Sequence, residues 1–166
     1  MTSDVIKANV AYYFRYKRQC PVIVFERGLS YMDIPDVLIL SQDRRLIEVE
    51  VKVSVSDFRN DAKKRKHNPY WQSHFFPRKQ KYYCVPQTMA DKIKDLVPQD
   101  WGLMQMWETT VIDVLKKAPI NKDASRLAIR QVEEMVRHQT ATLISEALTN
   151  VRLNALLESK TWEVEK

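Results

Sequence analysis

Leu46-Ile47-Glu48-Val49-Glu50-Val51-Lys52-Val53 is the segment from which the rest of the chain can be read. Side chains alternate along a strand, so Ile47, Val49, Val51 and Val53 share one face and Glu48, Glu50 and Lys52 the other. Upstream, Ile34 to Leu40 reads as a second strand, joined to the first by the polar Ser41-Gln42-Asp43-Arg44-Arg45. A turn centred on Asp43 sets Asp36 opposite Glu50, with β-carbons about 4.5–5.5 Å apart on one face. Two carboxylates so placed raise each other's pKa unless a positive charge lies between them. Lys52, two residues along the same face, meets part of that need, and a hard divalent cation with oxygen ligands meets it better. The plain alternative is an antiparallel strand with a solvated polar face.

Outward from this hairpin the elements follow in order. Ser3 can cap a first helix running to about Gln19, with Val5, Ile6, Val10, Tyr13 and Phe14 at helical spacing and Pro21 ending it. Val22 to Phe25 is a short β-branched strand, after which Glu26-Arg27-Gly28 turns the chain. Ser54 and Asp57 fit a capping box that opens a helix over about 55–67, closed by Asn68-Pro69. Lys81 to Val85 is a fourth strand, 88–96 a helix, and Trp101 to Trp107 and Thr110 to Lys117 two more strands. From Ile120 to Lys166 neither Gly nor Pro occurs, and Ile129, Val132, Val136, Leu143, Ala147 and Val151 recur mostly every three or four residues. That spacing predicts one long amphipathic helix or two shorter ones. The order argues for an α/β layer fold, with residues 1–122 as its core and 123–166 as a helical extension. The extension either packs on the core or mediates a homodimer.

Composition bounds the function. The chain has 166 residues, 45% of them apolar and 29% charged, which supports one real core and excludes a disordered chain. Its two glycines, Gly28 and Gly102, exclude every Gly-rich phosphate loop. Cys20 and Cys84 read as buried thiols of a reducing compartment rather than a disulfide framework. The charged residues in the first 25 positions exclude a signal-peptide core, and no apolar run is long enough to span a membrane, so a cytoplasmic protein without a membrane partner is expected.

The net charge is +6, and its excess is concentrated. Between Arg59 and Lys81 lie eight bases, among them Arg59, Lys63, Lys64, Lys66, Arg78 and Lys79, against the single acid Asp61. Tyr70, Trp71, Phe75, Phe76, His67 and His74 are interleaved with them. Cations among aromatics suit a phosphate backbone and exposed bases. The alternative is a solvated helix face with its aromatics in the core.

Pro35-Asp36, thirteen further positions, then Glu50-Val51-Lys52 resembles the signature of the PD-(D/E)xK nuclease superfamily. The helix, three-stranded antiparallel meander, helix and strand also resemble that superfamily's restriction-endonuclease-like core. The run Glu50 to Asp61, with Tyr82-Tyr83-Cys84-Val85-Pro86 and the stretch from Trp101-Gly102-Leu103 to Lys116-Lys117-Ala118-Pro119, resembles its MmcB-like DNA-repair branch and related phage nucleases. The resemblance covers about residues 20–120.

It implies a metal-dependent endonuclease that hydrolyses DNA phosphodiesters in repair, recombination or phage DNA processing. Asp36, Glu50 and the Val51 carbonyl would hold Mg²⁺ or Mn²⁺. Lys52 would orient and help deprotonate the attacking water. The metal would lower the pKa of that water and neutralise charge on the phosphate oxygens. Many members carry a further acid on the first helix, where this chain has only Asp4; Glu26 is the substitute candidate, its alternative being a surface glutamate paired with Arg27.

Other residues receive lesser roles. Glu48 reads as a salt-bridge partner behind the site, Asp57 as a helix cap, and Asp61 with Arg65 as an i,i+4 pair supporting the helix. Arg59, Lys63, Lys64, Lys66, His67, Trp71, Arg78 and Lys79 are the expected DNA contacts. The rival readings are a non-catalytic nucleic-acid-binding protein on the same scaffold, and an interaction protein whose long helix carries the function.

Overall fold

Six strands form one mixed sheet in the order β1-β2-β3-β4-β5-β6, with helices on both faces. The structure, a computed structural model, describes residues 1–27, 34–61, 77–109 and 111–164, of which 151–164 are described as backbone only. Helix α1 spans Ser3–Tyr12 and runs straight into a π-helical turn at Tyr13–Lys17. Its cap is Thr2 rather than Ser3: the Thr2 Oγ1 accepts a hydrogen bond from the Val5 amide at 3.4 Å. Strands β1 (Val22–Phe25), β2 (Val37–Leu40) and β3 (Leu46–Val51) form the expected antiparallel meander. The β2–β3 register pairs Val37 with Val49 and Leu38 with Glu48, the register that a turn centred on Asp43 predicts. Asp43 anchors that turn by accepting from the Ser41 hydroxyl and pairing with Arg45 and Lys79, contacts that hold its carboxyl well below the usual carboxylate range.

The chain then crosses over through α2 (Val55–Asp61) to β4 (Gln80–Pro86), which lies parallel to β3. Ser54 caps α2, accepting the Asp57 amide on its Oγ at 3.1 Å. Helix α3 (Gln87–Ile93) and a single 3₁₀ turn at Lys94–Leu96 lead to β5 (Gly102–Met106), parallel to β4, and then to the antiparallel edge strand β6 (Ile112–Lys116). A single 36-residue helix, α4 (Ile129–Val164), ends the described chain.

Alternation puts the two faces of the sheet to different uses. Ile23, Val37, Ile39, Ile47, Val49, Val51, Tyr82, Cys84 and Met104 pack against Ile6 and Val10 of α1 and Phe14 of the π-helical turn. The opposite face carries two separate apolar clusters. Val22, Val24, Leu38, Leu40 and Leu46 lie under Leu127 and the start of α4 at Val132 and Met135. Tyr83, Val85, Trp101 and Leu103 lie under Phe58 of α2 and Met89, Ala90 and Ile93 of α3. Beyond its start, α4 leaves Val136, Leu143, Ile144 and Leu148 exposed.

Between those two clusters, on the same face, run Glu48, Glu50 and Lys52, all buried. The solvated polar face that is the commonplace reading of β3 is therefore not what forms. The expected apolar row also ends sooner, because β3 stops at Val51 and Val53 is exposed. Likewise β2 begins at Val37, so Ile34 to Asp36 precede the strand.

Gly102 marks a tight approach in the sheet. A β-carbon there would lie 2.4 Å from the Tyr82 ring and 2.6 Å from the Ala118 backbone nitrogen. A glycine inside a strand at such a point is there for clearance rather than conformational freedom. Gly102→Ala is expected to cost about 1–3 kcal/mol through overpacking. Urea denaturation should show this as a lowered midpoint at unchanged slope.

Candidate functional site

The site forms where β3 ends. The Lys52 amide continues the β3–β4 ladder by donating to the Cys84 carbonyl at 3.1 Å, which turns the Lys52 side chain onto the face that carries Glu50. Its ammonium lies 3.1 Å from Glu50 Oε2 and 3.1 Å from Asp61 Oδ1, and the Lys52 side chain is only 4% exposed. Asp61, at the end of α2, is fully buried and accepts a hydrogen bond from the Tyr83 hydroxyl at 2.8 Å. Tyr83 is the cross-strand neighbour of Glu50. Its ring stacks on Trp101, with centroids 4.4 Å apart, and meets Phe58 edge-on at 4.9 Å.

Burial works against the charge on Lys52, but the carboxylates of Glu50 and Asp61 outweigh it and hold the ammonium above its ordinary pKa. Lys52 thus stands as a cation held between two carboxylates. Tyr83 is shifted the same way, by burial first and then by the Asp61 charge, so its hydroxyl stays a proton donor.

Asp36 approaches from the other strand of the hairpin. Its Oδ2 accepts the Val51 amide at 2.7 Å, which ties the residue before β2 to the end of β3. Burial and then the Glu50 charge raise its carboxyl pKa, opposed by the Val51 amide, Lys52 and Lys7. Asp36 therefore senses the Glu50 charge, in keeping with the hairpin register. The Glu26 amide donates to the Asp36 carbonyl at 3.1 Å and extends the β1–β2 ladder to the same point.

The outlying residues divide. Glu26 has a left-handed φ of 48°, its side chain is 67% exposed, and its partner is Lys7 at 2.5 Å rather than Arg27. Hydrogen bonding to Glu26 raises the Lys7 pKa against the effect of burial, with the charges of Glu26 and Asp36 adding to the rise. Lys7 is thus a second cation beside the carboxylates, one that sequence reasoning missed; its only signal was its place on α1 next to the buried Ile6.

Glu48 is a salt-bridge partner, as its sequence position suggests, and its cation is Arg78 at 3.2 Å. Arg78, expected on DNA, is accordingly buried inside the sheet face, because an ionised Glu48 there needs a partner. Lys79, also expected on DNA, pairs with Asp43 at 2.8 Å beside the β2–β3 turn, at the opposite end of β3 from Lys52. Arg59 is exposed on α2. Lys63, Lys64, Lys66, His67 and Trp71 lie outside the described residues, as does Arg65.

Asp61 has a role that the sequence reading did not reach. Among the described residues its partners are Lys52 and Tyr83, deep in the structure, while Arg65, the expected i,i+4 partner, lies outside them. The available signal was an acid on the side of α2 that carries the buried Phe58. Among the described residues, no group of three or more His, Cys, Asp or Glu side chains is gathered as a metal cage.

No family model matches the chain, and no curated protein does. Among solved structures, it is similar to the SPO1766 protein of unknown function from Silicibacter pomeroyi, with a TM-score of 0.61 and 21% identity over 92% of each chain. That likeness is one of fold. The molecule is an α/β protein with a six-stranded mixed sheet, and among the described residues no helix is long and apolar enough to cross a membrane.

Removing one carboxylate from a buried ion cluster leaves the lysine charge only partly compensated, here by Glu50 alone among the described residues. Asp61→Asn is expected to lower stability by about 3 kcal/mol, read as a shift in the urea midpoint. The pKa of Lys52 is raised in the folded state, so its contribution is fully present below the ordinary lysine value of 10.5 and fades as pH rises above it. The gap between wild type and Asp61→Asn should therefore be constant at neutral pH and narrow above about pH 10.5.

Proposed function

We propose that this protein is a metal-dependent nuclease of the PD-(D/E)xK type, its sheet a restriction-endonuclease-like core and its substrate a DNA phosphodiester. The observation that carries this reading is the convergence of Asp36, Glu50 and Lys52 at the end of β3, with the Asp36 carboxyl tied to the Val51 amide and the Lys52 ammonium paired to Glu50. The element order and the β2–β3 register support it as well.

The donor set suits a hard divalent cation. Asp36 and Glu50 offer carboxylate oxygens, the ligands that Mg²⁺ and Mn²⁺ prefer. Asp36 has Oδ2 committed to the Val51 amide, while its Oδ1 carries no hydrogen bond among the described residues. An ionised Asp36 beside Glu50 is also electrostatically costly, a cost that a cation offsets. Asp36 and Glu50, with the Val51 carbonyl, would hold the ion. Such an ion supplies Lewis-acid stabilisation of phosphate charge and a more acidic bound water.

The chain's own residues do the rest. Lys52, pinned by Asp61, holds a positive charge where negative charge grows on the attacked phosphate. Tyr83 holds Asp61 in turn, so Lys52 is pre-positioned at no reorganisation cost when the phosphate arrives. Lys7 neutralises Glu26, which leaves Glu26 a neighbour of the site rather than a ligand.

With Mg²⁺ or Mn²⁺, and not with EDTA, the wild type is expected to nick supercoiled plasmid. Glu50→Gln should lower the rate about 10²–10³-fold with DNA binding retained. A preparation that binds DNA without nicking in either metal would favour the non-catalytic reading. Metal binding has its own readout. The folded pKa of Asp36 is raised, so its favourable contribution is fully present below its ordinary value of 3.8 and is lost as pH rises through the folded value. At neutral pH a metal at about a hundredfold excess over its Kd should add about 2.7 kcal/mol, or about 5–10 °C in Tm. Asp36→Asn should remove that rise, as measured by thermal denaturation with each metal alone.

A further inference from the structure

A second cationic and aromatic surface lies away from the carboxylates, on the outer side of α1. Between Asp4 and Glu26 the chain has no acid, but it has Lys7, Arg15, Lys17 and Arg18. Lys7 is committed to Glu26, and Arg15 donates to the Pro21 carbonyl at 2.6 Å, which secures the end of the helix. Lys17 and Arg18 are exposed at the π-helical turn. In this turn the Arg18 amide bonds to the Tyr13 carbonyl at 3.2 Å, five residues back, while Phe14 stays buried against the sheet. Such π turns inside helices occur frequently at functional sites.

Beside these cations two tyrosines face out. Tyr12 is 60% exposed and Tyr16 66%, with ring centroids 4.6 Å apart and planes tilted by 43°. Large aromatic rings left this open are not explained by core packing. Next to them a cleft of about 650 Å³ is lined by Tyr12, Tyr13, Lys17 and Arg18, and by Val111 and Ile112 where β6 begins. That volume lies within the range of small-ligand sites and accommodates a nucleobase with its sugar.

We propose that this surface binds single-stranded nucleic acid, with bases on Tyr12, Tyr13 and Tyr16 and backbone phosphates on Lys17 and Arg18. Charge complementarity selects a polyanion, and the exposed rings select one whose bases are free to stack. A duplex keeps its bases stacked inward and would leave the tyrosine faces without a partner. An anionic lipid surface would satisfy the cations, but a cleft suits a flat ring inserted edge-first rather than a membrane plane.

The test is fluorescence anisotropy of the full chain with a labelled oligothymidylate of about 12 nucleotides, a size within the range of single-strand sites. EDTA throughout takes the carboxylate site out of the measurement, so the outcome is independent of the proposed hydrolysis. Tyr12→Ala with Tyr16→Ala should weaken single-strand binding about fivefold or more, with an unchanged circular dichroism spectrum and less than about a twofold change for a duplex of equal length. Lys17→Ala with Arg18→Ala should reduce the slope of log affinity against log salt by about 1.4, two phosphate contacts on a single strand. The proposal is overturned by a wild type that does not bind the oligonucleotide, or by equal single-strand affinity in the tyrosine variant. It is equally overturned if these four residues prove necessary for anionic phospholipid vesicles and not for the oligonucleotide.

Discussion

A lysine ammonium buried beneath a helix needs carboxylates around it, and much of this architecture follows from that need. Moving a charge out of water costs several kcal/mol unless opposite charges and hydrogen bonds replace the solvent. Lys52 finds its partners on different elements: Glu50 two residues back on β3, and Asp61 at the end of α2. Asp61 is held in turn by the hydroxyl of Tyr83 on β4. The cluster thus ties together β3, the helix that leaves it and the strand that follows. The parallel crossover from β3 to β4 is thereby clamped at the point where the carboxylates gather.

The apolar parts of the fold frame this polar stripe. On the face that carries it, one cluster lies under the start of α4 and another under α2 and α3, with Glu48, Glu50 and Lys52 between them. Glu48 is satisfied by Arg78, and Glu50 by Lys52. The opposite face is closed by α1, whose apolar row packs on the sheet while Lys7 and the two outer tyrosines serve other ends. One helix thus contributes to the core, to the surroundings of the carboxylates and to an exposed aromatic surface. The close approach at Gly102 shows how tightly β4, β5 and the chain after β6 are drawn together on the far side of the sheet.

The proposed chemistry depends on this clamping more than on any one acid. Two carboxylates brought to one place are common in sheets, but beside an ammonium locked by a third carboxylate they form a preorganised electrostatic site. The charge pattern around it differs from the linear one. Two of the bases that swell the basic window, Arg78 and Lys79, are spent on Glu48 and Asp43. Positive charge available to a polyanion is therefore less concentrated between Arg59 and Lys81 than counting suggests, and part of it stands on the π turn of α1 instead.

Order and register along the chain are local matters, and they are legible in the sequence. The alternation of Leu46 to Val53 and the polar turn at Asp43 fix the hairpin, because a one-residue slip would exchange the apolar and the charged rows of the strand. Hence the grouping of Asp36, Glu50 and Lys52 follows from pattern and register alone. What the pattern does not carry is which groups are buried and by whom. Arg78 meets Glu48 thirty positions away and Tyr83 meets Asp61 across a helical crossover, and neither distance has a periodicity to betray it. From the sequence Asp61 reads as the i,i+4 partner of Arg65, because nothing local says that α2 turns that side onto Tyr83 and Lys52. Local patterns determine where strands run and which residues share a face; only packing of distant elements decides which charges lose their water and must find one another.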